Sequence, residues 1–196
     1  MVISHKNEYV FVSTPKTGTH SLYEILTTEC NGVRHGGYHS RDIPEESVGY
    51  FTFTTVRNPY ERLVSAWNVL VTMKDDLYAS TYRPLIGSTE FRDFVDWSLT
   101  NKDKIHKWTS SEVKGIFVLQ HQGHEMHNIT FDTKLRIENI NEELNAMDCI
   151  TTTVKVPHIL KRNYRGWDYH KTPEIVGMAN EYLEEEFDYL PYDKEV

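Results

Sequence analysis

The sequence predicts an α/β fold with a mainly parallel central sheet flanked by helices. An apolar, β-branched run at 9–14 passes through a Gly-containing turn into a helical pattern. A second run at 50–56 stops at Arg57-Asn58-Pro59 and is again followed by a helical pattern. Further short apolar runs and helical patterns alternate along the rest of the chain, which is typical of βα units. In this class of fold, ligands bind at the carboxyl ends of the strands.

The individual elements are predicted from periodicity and from turn residues. In the first helix, Leu22, Ile25 and Leu26 fall on one face, which indicates an amphipathic helix. Pro59 suits a first helical turn, because its missing N–H has no partner there. The predicted elements are strand 9–14, helix 19–30, a short helix near 43–47, strand 50–56, helix 59–71, a helix capped by Ser88 or Thr89 that runs to Leu99, strands 116–119 and 134–138, helix 141–147 and a last helix from Pro173 to about Phe187. The segment 72–87 has weak periodicity and is interpreted as a surface excursion.

Composition and charge restrict the class of protein. The 196 residues, 39% of them hydrophobic and 12% aromatic, suit one globular domain spanning residues 1–196. The net charge of −8 argues against a broad nucleic-acid-binding surface. Cys30 and Cys149 lack the spacing of a disulfide or metal motif, and no apolar run approaches the ~18 residues of a membrane span. We therefore expect no nucleic-acid partner, no membrane span and a cytoplasmic location.

The segment Pro15–Ser21 is the most informative stretch of the chain. A strand, a tight loop and a helix aim backbone N–H groups and a helix N-terminus at one point, which favours anion binding. Lys16 adds a positive charge, and Thr17, Thr19 and Ser21 add hydroxyl groups. The loop is not a Walker A loop, because its lysine precedes its only glycine. The alternative is an ordinary βα turn, which needs no such combination of residues.

Arg57 marks a second candidate site, at the end of the predicted strand 50–56. A guanidinium binds phosphate with two N–H groups, and the hydroxyl of Ser65, eight residues later, can add another hydrogen bond. Taken alone, Arg57 equally suits an ion pair or a contact with carbonyl groups, and Ser65 equally suits helix packing.

Together these two stretches resemble the binding motifs of sulfotransferases. P-K-T-G-T-H-S at 15–21 resembles the 5′-phosphosulfate loop of that family, and R-N-P-Y-E-R-L-V-S at 57–65 resembles its 3′-phosphate motif. L-R-I-E-N-I at 135–140 is similar to a segment of the carbohydrate-type branch, which includes bacterial and Golgi enzymes. The end of the chain resembles the closing helix of that branch, although 188–192 departs from its F-G-Y sequence.

The resemblance implies a single sulfotransferase-like domain with a three-layer, P-loop-like fold. It also implies transfer of the sulfuryl group of 3′-phosphoadenosine 5′-phosphosulfate (PAPS) to an acceptor hydroxyl, with 3′-phosphoadenosine 5′-phosphate (PAP) as product and no metal. Lys16 would lie at the bridging oxygen of the donor, where negative charge develops during in-line transfer. The implied donor-binding residues are Pro15, Lys16, Thr17, Gly18, Thr19, His20 and Ser21 for the 5′-phosphosulfate, Arg57 and Ser65 for the 3′-phosphate, and Lys161, Arg162 or Arg165 in a late basic segment.

The acceptor hydroxyl needs a general base, and a histidine has a suitable pKa. In the branch that this chain resembles, a histidine often lies between the two phosphate motifs. His39, eighteen residues before Arg57, matches that placement, and His35 is the second candidate.

A second group of histidines suggests a metal site as an alternative. His121, His124 and His127 are spaced three residues apart, but Gly123 argues against a continuous helix that would align them. The resemblance assigns no metal to this region, so we expect none.

Two other functions remain open at this point. The first alternative to a sulfotransferase is a P-loop kinase of small molecules. The second is a catalytically silent module that binds a nucleotide or a glycan. A carbohydrate or glycolipid acceptor is favoured by the branch, and the lack of an anchor favours a bacterial or viral cytoplasmic setting over the Golgi. The run Glu184–Glu186 is interpreted as an exposed helix face.

Overall fold

The computed structural model describes residues 1–73, 78–122, 129–159 and 164–196. The chain forms two compact units, Met1–Arg57 with Met126–Arg162 and Asn58–Glu125 with Asn163–Val196. The assignment of residues 1–196 to one domain stays a prediction. None of the helices in the described ranges has both the length and the apolar composition needed to cross a bilayer.

The secondary structure alternates between strands and helices in the first third of the chain and is mostly helical later. The strands are β1 (Val2–Ser4), β2 (Tyr9–Phe11), β3 (Val33–Arg34), β4 (Phe51–Val56) and β5 (Thr133–Arg136). The α-helices are α1 (Thr19–Thr28), α2 (Pro59–Trp67), α3 (Ala79–Ile86), α4 (Phe91–Thr100), α5 (Lys102–Lys107), α6 (Ile140–Asn145), α7 (Trp167–His170), α8 (Pro173–Tyr182) and α9 (Glu184–Tyr189). Shorter turns are 3₁₀-helical at Glu45–Ser47, Ile116–Val118 and Ile137–Asn139, and π-helical at Asn68–Thr72.

The first unit contains a five-stranded sheet in the order β3-β1-β2-β4-β5 within the described residues. β2, β4 and β5 are parallel, with Phe11 opposite Phe53 and Thr55 opposite Leu135. This confirms the predicted parallel centre. β1 is antiparallel to both β2 and β3, which the sequence pattern does not predict. A three-residue strand followed by the polar turn 5–8 is too short to show a period-2 pattern.

The two faces of this sheet bury different side chains because successive strand residues point in opposite directions. One face packs against α1 and α6. Its cluster includes Val2, Tyr9, Phe11, Leu22, Leu26, Phe53, Leu135, Ile140 and Leu144. The other face carries Ile3, Val10 and Val12, which pack with Ile43, Tyr50, Ile129 and Phe131. The predicted apolar face of α1 is therefore confirmed, and it holds the start of this helix against the sheet.

The second unit is helical, and α2 begins it. The Asn58 side chain caps α2 by accepting hydrogen bonds from the N–H groups of Tyr60 (3.0 Å) and Glu61 (3.3 Å). Pro59 occupies the first turn, as predicted. Leu63, Ala66 and Leu70 then enter a core shared with α4 and α8.

Three predicted elements in this unit differ from the structure. Residues 116–119 are predicted as a strand but form a 3₁₀ turn at Ile116–Val118, since four apolar residues have no distinctive period. The last helix is interrupted at Leu183, so that α8 and α9 are separate. The segment 72–87, interpreted as a surface excursion, contains α3 despite Pro84, and the buried Tyr82 joins it to the core.

A buried ion pair crosses this unit between Arg62 in α2 and Glu186 in α9. The Arg62 Nη2 lies 2.5 Å from the Glu186 Oε1, and the two side chains are 3% and 0% exposed. The guanidinium also donates to the carbonyl oxygens of Val118 (3.0 Å) and Gln120 (3.1 Å). The Gln122 amide donates to the second carboxylate oxygen at 2.9 Å. The interpretation of Glu184–Glu186 as an exposed face is therefore wrong for Glu186.

His121 is buried in the same unit, with its ring centroid 4.2 Å from that of His106 and 5.4 Å from that of Tyr182. Burial, followed by the nearby His106 and Arg62, lowers the pKa of His121 to about 3. Lys102 lowers it further, and Glu185, whose Oε2 lies 3.8 Å from Nδ1, opposes the shift. The imidazole is therefore neutral in the folded protein at neutral pH.

This burial makes stability depend on pH. The unfolded chain binds a proton near pH 6.5 and the folded chain only near 3, so stability falls as pH falls through this window. We expect His121 to remove about 2 kcal/mol of unfolding free energy between pH 7.5 and pH 5. Urea unfolding of wild type and His121→Leu at both pH values measures this difference. The exposed His158→Gln variant is the control and should follow wild type; an unchanged pH dependence in His121→Leu would contradict the assignment.

Candidate active site

The loop between β2 and α1 is held in one shape by threonine hydroxyls. Thr14 Oγ1 donates to the carbonyl of Thr55 in β4 at 2.8 Å. Thr17 Oγ1 lies 2.9 Å from the Thr14 carbonyl, 2.9 Å from the Thr14 hydroxyl and 3.0 Å from the Thr55 hydroxyl. Thr55 Oγ1 in turn lies 3.0 Å from the Thr17 carbonyl. All three side chains are buried, so these hydrogen bonds tie the loop to the neighbouring parallel strand.

The backbone of the loop has two left-handed residues close together. Lys16 has φ 69° and Gly18 has φ 82°. Turns of this kind arrange successive N–H groups around a concave site for an anion. The left-handed conformation favours glycine at position 18, and a Cβ there would lie 2.5 Å from Cδ1 at the flexible end of the Ile137 side chain. Lys16 adopts this conformation without being glycine, as Glu8 and Asn31 also do among the described residues.

The hydroxyl groups next to the loop have intramolecular partners. Thr19 Oγ1 donates to the Thr14 carbonyl at 3.0 Å, and Ser21 Oγ accepts from the Ile159 N–H at 3.3 Å. α1 begins at Thr19, and its first-turn N–H groups lie at the same end of the helix as the loop. The backbone N–H groups of this helix start and the half-buried Lys16 lie in the same short segment, and the start of a helix favours an anion.

Arg57 lies at the same edge of the sheet as this loop. It follows β4, whose residue Phe53 is opposite Phe11 in the parallel strand β2. Adjacent strands are ~4.8 Å apart, so the two strand ends bring the Lys16 loop and the half-buried Arg57 to neighbouring positions. Two cationic residues thus follow adjacent strand ends, where α/β folds bind ligands.

The two candidate bases lie in different places. His39 Nδ1 lies 3.3 Å from the carbonyl oxygen of Ser13 and 3.4 Å from its hydroxyl, directly before the loop. His35 is exposed, and its backbone N–H donates to the Met1 carbonyl at the end of β3. The structure therefore brings His39 to the loop through contact with Ser13.

The pKa of His39 is lowered from its ordinary value. Burial is the main cause, Arg41 and the Met1 amino group contribute, and the hydrogen bond with the Ser13 backbone opposes the shift. Burial, Arg34 and Lys16 lower the pKa of His20 as well. At neutral pH, a lowered pKa keeps an imidazole in the neutral form that accepts a proton.

Sequence reasoning does not identify the aromatic residues around His39. The ring of Tyr38 lies 4.6 Å from that of His20 and 4.8 Å from that of Tyr23, measured between centroids. The Arg34 guanidinium carbon is 5.7 Å from the Tyr23 ring and 5.8 Å from the Tyr38 ring. The available signal was Tyr38, which lies between the basic residues Arg34 and Arg41 and beside a candidate histidine.

The remaining predicted donor-binding residues belong to the second unit or lie outside the described residues. Ser65 is buried in α2. Arg165 is exposed, and its guanidinium carbon lies 3.9 Å from the Tyr169 ring centroid. Lys161 and Arg162 lie outside the described residues, so their predicted role stays a prediction.

The suggested histidine metal site also falls partly outside the described residues. His124 and His127 lie in the range 123–128, which the structure does not describe. His121 is buried next to His106. Within the described ranges, no three His, Cys, Asp or Glu side chains are grouped as metal ligands.

Comparison with known proteins identifies the family. A model described as the sulfotransferase family matches residues 1–186, which include the Lys16 loop, Arg57 and β5. No curated protein and no solved structure gives a significant match. The match spans almost the whole chain, and the chain therefore belongs to the sulfotransferase family.

Proposed function

We propose that this protein transfers the sulfuryl group of PAPS to a hydroxyl of a carbohydrate or glycolipid acceptor. Membership of the sulfotransferase family supports sulfuryl transfer in general. The observation that carries the finer proposal is the position of the Lys16 loop and Arg57 after adjacent parallel strands, with His39 against Ser13.

In this proposal the loop binds the 5′-phosphosulfate. Backbone N–H groups of Thr17, Gly18, Thr19 and His20 and the start of α1 face its negative charge, and Pro15 and Ser21 bound the loop. The Lys16 ammonium lies at the oxygen that bridges sulfur and phosphorus. Charge grows on that oxygen as the bond to sulfur breaks, so Lys16 stabilises the transition state more than the ground state.

Arg57 and Ser65 bind the 3′-phosphate and thereby select PAPS among nucleotides. A guanidinium forms two parallel hydrogen bonds with phosphate oxygens, which explains an arginine rather than a lysine at this position. Lys161, Arg162 or Arg165 in the late basic segment supplies further positive charge to the same phosphate.

His39 is the general base in this scheme. It removes the proton of the acceptor hydroxyl while the acceptor oxygen bonds to sulfur and the bond from sulfur to the 5′-phosphate oxygen breaks. That oxygen keeps the bonding electrons, and the products are the sulfate ester, PAP and a protonated His39. We assign the protein to the carbohydrate-type branch of the family, with a bacterial or viral cytoplasmic setting.

Calorimetric titration with PAP tests the donor assignment. We expect wild type to bind PAP at micromolar concentration and Arg57→Ala to lose a few kcal/mol of binding free energy, because a phosphate contact to a charged group is removed. Arg92→Ala is the control, since Arg92 is an exposed arginine paired with Glu174. The donor assignment fails if wild type does not bind PAP.

Two further outcomes separate the alternatives. Displacement of PAP by ATP with Mg²⁺ would favour the small-molecule kinase. Tight binding of PAP without sulfuryl transfer to any member of a glycoside panel would favour the silent binding module.

A further inference from the structure

The segment that carries His39 is anchored through backbone carbonyl groups. The Met1 ammonium donates to the carbonyls of His35 and Gly37, each at 3.0 Å, and the carbonyl next to His39 has separate donors. After β3 the chain passes residues 35–38 and reaches the carboxyl end of β2 at His39. The carbonyl oxygen of Tyr38, the preceding residue, accepts hydrogen bonds from the hydroxyls of Ser13 and Tyr23, the second at 2.9 Å. Both donors belong to well-packed elements, because Ser13 follows β2 and Tyr23 is a buried residue of α1.

These contacts determine which nitrogen of His39 carries the proton in the neutral ring. Nδ1 lies 3.3 Å from the Ser13 carbonyl oxygen, which only accepts hydrogen bonds. Its other neighbour, the Ser13 hydroxyl at 3.4 Å, has its hydrogen directed to the Tyr38 carbonyl. Both of these neighbours can accept a hydrogen bond, which favours a hydrogen on Nδ1 and the lone pair on Nε2.

We propose that Ser13 and Tyr23 are positioning residues that hold His39 in the Nδ1–H tautomer, so that Nε2 is the atom that takes the acceptor proton. The catalytic part of this inference rests on the proposed function, whereas the tautomer and its dependence on Tyr23 do not. A histidine base commonly has its second ring nitrogen hydrogen-bonded in this way, and here a backbone carbonyl is the partner.

Tyr23→Phe isolates the anchoring contact. The ring of Tyr23 packs edge-on against Phe11 at 6.0 Å between centroids, and phenylalanine keeps that packing. Only the hydroxyl is removed, and with it the hydrogen bond to the Tyr38 carbonyl and the contact with the Ser13 side chain. Tyr9→Phe is a matched control, because Tyr9 is a buried tyrosine of the same unit whose hydroxyl donates to a different backbone carbonyl, that of Cys30, at 3.0 Å.

Long-range ¹H–¹⁵N NMR of the histidine rings is the primary test, with the His39 signals assigned by their loss in His39→Ala. In wild type we expect Nδ1 to show the shift of a protonated nitrogen and Nε2 that of an unprotonated one. In Tyr23→Phe we expect a mixture of tautomers. Tyr9→Phe should retain the wild-type pattern even where its stability is reduced.

The pKa of His39, measured in the same titration, provides a second readout. Burial is the main cause of its lowered pKa, and the titratable and charged groups that also lower it are Arg41, the Met1 amino group and His20. Loss of the anchor exposes the ring, so the pKa in Tyr23→Phe should rise toward the ordinary value of about 6.5. The pKa in Tyr9→Phe should stay at the wild-type value.

The rate of sulfuryl transfer links the tautomer to function. With PAPS and the best acceptor from a glycoside panel, Tyr23→Phe should lower kcat about ten-fold, as removal of a supporting contact does at other sites, while the Kd for PAP stays within about two-fold. An Nε2–H ring in wild type, or an unchanged tautomer in Tyr23→Phe, overturns the proposal. Failure of wild type to bind PAP leaves the NMR result standing and overturns only the proposed donor.

Discussion

Replacing His39 by alanine should lower kcat for sulfuryl transfer by about 10²–10⁴-fold, because a positioned general base contributes a factor of this size. The Kd for PAP should change little, since the proposed donor contacts come from the Lys16 loop and Arg57. Turnover of PAPS to PAP with the best acceptor from a glycoside panel measures the first quantity, and calorimetry measures the second.

The same assignment predicts the pH dependence of the reaction. A base must be neutral to accept a proton, and the pKa of His39 lies below its ordinary value. In wild type, kcat/KM should therefore decrease toward acidic pH with a midpoint below the ordinary histidine pKa of about 6.5. This acidic limb should be absent from the residual activity of His39→Ala.

His35→Ala is the matched control for this experiment. His35 is four residues away in sequence, and the structure places it on the surface after β3. It should retain wild-type kcat and the wild-type acidic limb. If His35→Ala loses the activity and His39→Ala retains it, the base has been assigned to the wrong histidine.

Replacing Arg62 by methionine should reduce the free energy of unfolding by about 3–5 kcal/mol. The Glu186 carboxylate has no exposed surface, and it would remain in the interior without its cation. The carbonyl groups of Val118 and Gln120 would lose a donor in the same step. Urea unfolding followed by circular dichroism measures the loss.

Two further variants show that the loss comes from an unpaired buried charge. The double variant Arg62→Met with Glu186→Leu removes both charges and should recover much of the stability, because apolar residues of similar size often replace buried ion pairs without loss. Arg92→Met breaks the exposed pair with Glu174 and should leave the unfolding midpoint near that of wild type. Equal losses in the Arg62 and Arg92 variants would contradict this account.

Local patterns in the sequence were sufficient for the elements around the site. The apolar runs at 9–14 and 50–56 contain the strands Tyr9–Phe11 and Phe51–Val56, and the helix that begins at Thr19 has a helical period. Asn58-Pro59 is likewise a local signal, because a cap and a first-turn proline act within one helical turn. These segments were predictable because their apolar patterns and end signals are local.

The antiparallel strands and the buried carboxylate required tertiary structure. β1 and β3 have three and two residues, and they become strands only by pairing with each other and with β2. Glu186 was predictable in part, because it lies between the buried Leu183 and Leu190 at helical spacing, three and four residues away. Its partner Arg62 is 124 residues away, and no local pattern indicates that contact.

The sequence by itself predicted the loop at Pro15–Ser21, which resembles a sulfotransferase motif, and the cationic Arg57. It also predicted that the strands before these two features are parallel. Only the tertiary structure decided which histidine approaches the loop. The contact between His39 and Ser13 is made by a chain segment that crosses from β3, and the Tyr23 hydroxyl donates to the carbonyl just before His39. Sequence spacing favours such a contact weakly, whereas packing of α1 against the sheet determines it.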